Sequence, residues 1–270
     1  MKEVTQGSLI YGIRSPKYPG VPAYGIVISA ACDLAQDKID KVFYLIAIPV
    51  EEWLCSDKGF QLMTEALASS SKNNLLANLK KYDLSWDVIH TLSLNEFKVV
   101  VAECVSKKGD QEAALTQFEK YHRVRKGNIS REEKKEVYRS DSKAVAGFLG
   151  DVLSGSNTHY IFLPQEAFSD PVIESKGLIV DLLELDYLPM DTVSKIAAGE
   201  MDCMTMTAPE IAANDELFFL REDPGFAYPV VRISSPWREY VLQHFSNCFI
   251  RIGVDNPGKS EAKNIVENLF

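Results

Sequence analysis

Cys32 and Asp33 stand side by side just past an apolar run, within YGIVISAACDLAQDKIDKVFYLIAIPV (24–50). A thiol beside an acid raises the question of nucleophilic catalysis. A catalytic thiolate needs a base or a positive field to lower its pKa. Asp33 does the opposite, because a neighbouring carboxylate disfavours a second negative charge. The histidines (His90, His122, His159 and His244) are scattered, and no spacing assigns one of them to Cys32. The alternative is a corner. Asp33 would cap a short helical turn or form an Asx-turn, and Cys32 would tuck inward as a small hydrophobe. The corner is the expected role.

Other chemistry is thinly represented. Five cysteines, Cys32, Cys55, Cys104, Cys203 and Cys248, are widely spaced and form no CxxC pair, so neither a zinc site nor a disulfide framework is expected. The thiols are expected to be reduced and mostly buried. No phosphate-binding glycine loop and no GxSxG elbow occurs. No cofactor and no metal is expected. Asp181, Glu184 and Lys195 resemble the acids and lysine of a metal-dependent nuclease. On a regular strand, though, residues 181 and 184 point to opposite faces. They are therefore expected to be solvated turn acids.

Charge marks one region. The chain carries a net −9. Yet residues 120–143, KYHRVRKGNISREEKKEVYRSDSK, hold nine Lys/Arg against four Asp/Glu. A solvated helical face is the plain reading. The functional reading is a patch for nucleic acid or an acidic partner, carried by Arg123, Arg125, Lys126, Arg131, Lys134 and Lys135.

The elements that must position these residues fall into three parts. Residues 1–50 read as strands: GSLIYGI, then the Pro-rich loop SPKYPGVP, then AYGIVIS and KVFYLIAIPV. Residues 51–156 read as a mainly helical insertion, with EFKVVVAECV as a possible returning strand. Residues 157–270 read as a second β unit with a C-terminal helix. HYIFLP, GLIVDLLELDYLP, DELFFLRE and YPVVRISSP are its strands. In SSPWREYVLQHFSNCFIRIGV, Trp237, Val241, Phe245 and Phe249 share one helical stripe. Arg238 lies near the helix start, where a cation is disfavoured. It is therefore assigned, with Arg251, to the carboxylates of 181–186 or to a partner protein. The fold class expected is α+β, built of small SH3-like β-barrel units.

QGSLIYGI…GVPAYGIVIS resembles the opening of the PemK/MazF-like growth-inhibitor toxins, which implies a compact SH3-like barrel. Ribonucleases of that family use an arginine just before the second strand and a Ser or Thr after the third. Here Val21, Pro22, Ala23 and Tyr24 occupy the first place, and Pro49, Val50 and Glu51 the second. A toxin-like nuclease would have to use Arg14, Ser29 and Cys32 instead. ISxxCD, with HYIFLP and SSPWREYVLQHFSNCFIRIGV downstream, is similar to uncharacterised bacterial proteins of mobile or phage-defence-type operons. That similarity implies a defence context rather than a mechanism; with the acidic charge and the missing catalytic set, the expected role is a non-catalytic adaptor whose partner is another protein of the same operon. The nuclease is the alternative, with nucleic acid as a less favoured partner. No membrane partner is expected, since no apolar run approaches the roughly 20 residues that span a bilayer. The N-terminus has no secretory signal pattern, so the expected location is the cytoplasm.

Overall fold

Strands form where apolar runs lie between Gly- and Pro-rich breaks. In the computed structural model these are β1 (Ser8–Ile13), β2 (Ala23–Val27) and β3 (Lys41–Pro49). The residues described are 3–36, 38–124, 130–140, 142–154, 159–169, 175–202, 206–217 and 226–250. The turn after β2 is a short helix, α1 (Ala31–Ala35), which makes the expected corner.

From Pro49 the chain turns helical. α2 (Val50–Cys55) is followed by α3 (Asp57–Leu79), with Ser56 as the break between them. The Ser56 hydroxyl accepts from the Gly59 amide at 3.0 Å and donates to the Trp53 carbonyl at 2.6 Å. A Cβ on Gly59 would lie 1.9 Å from that carbonyl oxygen, so only glycine fits the bend. α4 (Trp86–Ile89), α5 (Leu94–Cys104), α6 (Lys108–Val124), α7 (Arg131–Ser140) and α8 (Ser142–Leu153) follow.

α5 replaces the strand expected at EFKVVVAECV. Ser93 and Glu96 form a reciprocal capping box, and Phe97 and Val101, four residues apart, are buried. Phe97 stacks on Phe118 of α6 with centroids 4.0 Å apart. The cap and this packing override the strand preference of three consecutive valines.

The chain then returns to β structure with β4 (Tyr160–Pro164) and β5 (Gly177–Pro189). α9 (Met190–Ala198), α10 (Ala208–Ala212), β6 (Tyr228–Arg232) and α11 (Trp237–Ile250) complete the described elements. The strand expected at DELFFLRE lies mostly outside the described residues. Within it, Leu217 makes an isolated bridge to Ile13.

The fold is α+β, and the two expected β units share one antiparallel sheet of order β4-β5-β3-β2-β1-β6. The thirteen-residue β5 joins them, pairing with β3 on one side and β4 on the other. The expected SH3-like barrel is not found as a closed barrel, because the ladder is open. Pro164 ends β4 and Pro229 lies in β6, and neither has an N–H to extend a ladder. Past the end of β4 the chain approaches β6, where Phe168 bridges Ile233 and the Ser169 amide donates to the Arg232 carbonyl at 3.0 Å.

Each sheet face has a core. Ile10, Tyr44, Ile46, Ile48, Trp53 and Ile179 lie on the face covered by α2, α8 and α9. Leu9, Ile26, Leu45, Ala47, Ile161 and Val180 lie on the face that packs against α11. Val241 is buried there, with Trp237 and Phe245 beside it, as the helical stripe requires. The Phe249 side chain lies outside the described residues. No helix among them is long and apolar enough to cross a membrane.

Candidate functional site

A strand can present charged and apolar groups to different neighbours when its pairing register slips. Opposite Leu45 of β3 stands Leu185 of β5, but opposite Ile46 stands Asp181. Residues 182–184 are therefore a bulge. The bulge breaks the two-residue alternation and brings 181 and 184 to a common partner.

That partner is Lys17, from the Pro-rich loop between β1 and β2. Its ammonium lies 2.7 Å from Asp181 Oδ2 and 3.4 Å from Glu184 Oε1. Tyr18, the next residue, is buried and donates its hydroxyl to the same Oδ2 at 2.7 Å. The other oxygen, Oδ1, accepts from the Leu183 amide at 3.2 Å. Asp181 is thus bound on both oxygens while its side chain is only 2% exposed. The Tyr160 ring lies 5.8 Å from the Lys17 ammonium.

The electrostatics are those of a clamp. Burial alone would lower the Lys17 pKa, but the hydrogen bond and charge of Asp181 outweigh it, and the net shift is upward. Burial, reinforced by the Asp181 charge, pushes the Tyr18 hydroxyl far above its usual range. Burial likewise raises Tyr160. Both phenols stay protonated, and Tyr18 acts as a donor rather than a nucleophile. The clamp fastens the loop to the bulge and holds the bulge in one shape.

Outside the clamp, the bulge and the adjoining strand offer apolar side chains to water. Leu183 is 52% exposed, and Leu185 and Phe43 are each 42% exposed. Phe43 and Tyr187 are cross-strand partners with ring centroids 6.1 Å apart. Leu185 is two residues from Tyr187 and therefore on the same face. Lys41 places its ammonium 3.9 Å from the Tyr187 ring centroid. The exposed cluster lies on the same face as buried Leu45.

The residues singled out from sequence are dispersed. Ser29 accepts the Phe43 amide at 2.8 Å and so ties β2 to β3. Cys32 is exposed on α1, 3.6 Å from Asp33 Oδ1, so the expected inward thiol is corrected: the corner holds, but its sulfur faces out. The short helix turns Leu34 inward instead. Arg14 follows β1 at the opposite end of β2 from Ser29, about 20 Å away along the strand. Arg14, Ser29 and Cys32 do not converge. The described thiols, Cys32, Cys55, Cys104 and Cys248, are in no disulfide and none is fully buried, contrary to the expectation that they are mostly buried. Cys203 lies outside the described residues.

The basic segment is drawn into the fold. Arg131 donates both guanidinium nitrogens to Glu52 at 2.7 Å. Lys134 is buried and reaches Asp57 Oδ1 at 2.6 Å and the Cys55 carbonyl at 2.9 Å. Lys135 pairs with Glu132 on its own helix at 2.7 Å. Arg125 and Lys126 lie outside the described residues, as does the Arg123 side chain. Arg238 pairs with the adjacent Glu239 rather than with residues 181–186, and its stem lies against Gly7. Arg251 lies outside the described residues. Lys195 pairs with Asp191, one turn earlier on α9, at 3.2 Å.

Sequence reasoning passed over Lys17 and Tyr18. The available signal was a Lys-Tyr pair set between prolines in an otherwise small-residue loop. Among the described residues no group of three or more His, Cys, Asp or Glu could hold a metal ion. Comparison with protein-family models, with curated proteins and with solved structures gives no match to this chain.

Proposed function

We propose that the chain is a non-catalytic docking module that grips a partner protein through Phe43, Leu183, Leu185 and Tyr187. The observation carrying this reading is the bulge of β5, clamped on its charged side and apolar on its exposed side. A rigid surface loses little conformational entropy on binding, and clustered apolar side chains make effective anchors. The clamp supports an adaptor rather than an enzyme, because its acid and its phenol are already committed to each other.

The occupant we infer is a different protein, with apolar anchors flanked by Lys or Arg. A net charge of −9 opposes close approach of a second copy and attracts a basic surface. The resemblance to proteins of bacterial mobile and phage-defence operons suggests where to look: a protein encoded beside this one.

The test is binding of the purified neighbour-encoded protein to the wild-type chain and to Leu185→Asp, measured by calorimetry. Leu185 is exposed, so the variant should melt within about 0.5 kcal/mol of wild type. Binding should weaken at least about 100-fold. Equal binding by both chains overturns the proposal. So does a wild-type dimer that Leu185→Asp dissolves, which would make the occupant a second copy. Cleavage of RNA or single-stranded DNA by the purified chain would favour the nuclease reading instead.

A further inference from the structure

Tyr44 follows Phe43 along β3, so it faces the other side of the sheet from the exposed apolar cluster. It is 0% exposed and belongs to the core under α2, α8 and α9. Its cross-strand partner is Asp186 of β5, which puts both side chains on one face. The segment leading to Leu217 passes over the same place. Leu217 bridges Ile13, and the Glu216 carbonyl accepts from the Arg14 amide at 2.7 Å. Ile13 and Tyr44 meet over Gly25, where a Cβ would lie 3.0 Å from Ile13 Cγ1 and 3.1 Å from the Tyr44 ring. Glu216 is thereby carried to the Tyr44 side chain, and the charges of Asp186 and Glu216 both act on its hydroxyl.

Two atoms in this recess point to a ligand. The Tyr44 hydroxyl and Glu216 Oε2 are both buried, and neither has a hydrogen-bond partner. Native proteins pair nearly all such atoms, and an unpaired carboxylate oxygen is the costlier of the two. Burial first, then the two carboxylates, pushes the Tyr44 phenol well above its ordinary range, so it remains a neutral oxygen. Asp186 Oδ1 accepts from the Tyr187 amide at 2.8 Å, which orients that carboxylate. The lysines that share this face or border it are committed elsewhere: Lys17 to Asp181 and Glu184, and Lys195 to Asp191. Asp186 and Glu216 make no ion pair with any described residue. A bridging water would satisfy hydrogen bonds and leave both negative charges unbalanced. Both acids are half-buried, with the phenol as the floor between them, so an ion has a way in.

We infer that Asp186, Glu216 and the Tyr44 hydroxyl bind a hard divalent cation of the calcium kind. Carboxylates and a neutral oxygen are the donors such ions prefer, and two carboxylates balance the double charge. Two acids and a phenol are fewer than the donors of a dedicated metal centre, so water completes the shell and the ion exchanges readily. Calcium fits better than magnesium, because it tolerates irregular geometry around a phenol fixed in the core. The bound ion would tie the 214–217 segment to the β3–β5 ladder.

The test is calcium titration of the full chain, read by calorimetry and by melting, with terbium luminescence excited through tyrosine as a proximity probe. Calcium should bind with a Kd below about 1 mM. At about 10 mM it should raise the melting midpoint by at least about 2 °C more than sodium chloride of equal ionic strength does. Glu216→Gln keeps the side-chain shape and should weaken calcium binding at least about tenfold. Asp186→Asn should do the same, and decides the matter if Glu216→Gln folds poorly. Tyr44→Phe should dim the terbium emission. Glu103→Gln, at an exposed acid of α5, should bind calcium as wild type does. Three results would overturn the inference. One is a calcium response no larger than that to sodium chloride, which would leave water between the two orphaned atoms. Another is unchanged calcium binding by a folded variant of either acid. The last is undimmed terbium emission from Tyr44→Phe.

Discussion

Two acids hold lysines at almost the same distance in opposite surroundings. In the sheet, Lys17 reaches Asp181 at 2.7 Å, and the acid is the buried member, 2% exposed against 22% for the lysine. In the helical insertion, Lys134 reaches Asp57 at 2.6 Å, and there the lysine is buried, 8% exposed against 82% for the acid. The difference lies in which ion can escape. A carboxylate on a one-carbon stem cannot follow water if its partner is lost. An ammonium on a four-carbon stem can swing outward. The sheet pair should therefore be the more expensive one to break.

The largest effect is expected from Lys17→Met, which leaves the Asp181 carboxylate buried with only neutral donors. It should cost about 3–5 kcal/mol in urea denaturation. It should also speed amide exchange at Leu183, whose N–H bonds to that acid. A cost below about 1 kcal/mol would place the pair among ordinary surface bridges and erase the contrast. Asp57→Asn is the matched change in the insertion. Lys134 would keep the Cys55 carbonyl, and the cost should stay at about 1 kcal/mol or less.

Acid titration sharpens the same comparison. The Arg131 hydrogen bond, ahead of all other influences, holds Glu52 below its ordinary value of 4.5. The folded value is then the lower one, so the contribution of the pair is complete above about pH 4.5 and fades as the pH falls through the depressed value. Exchange of the α7 amides should rise in that window, and Arg131→Met should remove the dependence. The smallest effect is expected from Cys32→Ser, at an exposed thiol. Its midpoint should move by less than about 0.5 kcal/mol. A larger shift would mean that the corner between β2 and β3 resembles the buried sheet pair after all.

Much of the scaffold could be read from residue patterns. The loop 15–22 announced itself by three prolines, and α11 by Trp237, Val241 and Phe245 on one stripe. The site could not be read the same way. Residues 181 and 184 would face apart on a regular strand, but here the register slips three residues between Leu45 and Ile46. Alternation along a sequence carries no mark of such a slip, which depends on how β3 and β5 match. The basic segment misled for a related reason. Glu52 and Asp57, which engage Arg131 and Lys134, lie on helices that precede the segment by most of the insertion. Counting charges within a window cannot find partners outside it. Cys32 was misplaced because a five-residue helix has room to bury only one side, and Leu34 took it.

The pairing of β3 with β5 also sets an order of events in time. Every rung of that ladder, from Lys41 with Pro189 to Pro49 with Leu178, joins residues on opposite sides of the whole helical insertion. Closing so long a loop slows folding, since its entropy is lost before the rungs repay it. During synthesis β1, β2 and β3 emerge first, and β3 waits as a bare edge until β5 leaves the ribosome. A waiting edge of nine residues, mostly apolar, is a template for pairing with other chains. The helices between have local contacts and can fold meanwhile, drawing the two strands closer. Variants that slow the insertion's collapse should therefore aggregate during expression more than their equilibrium stability would suggest.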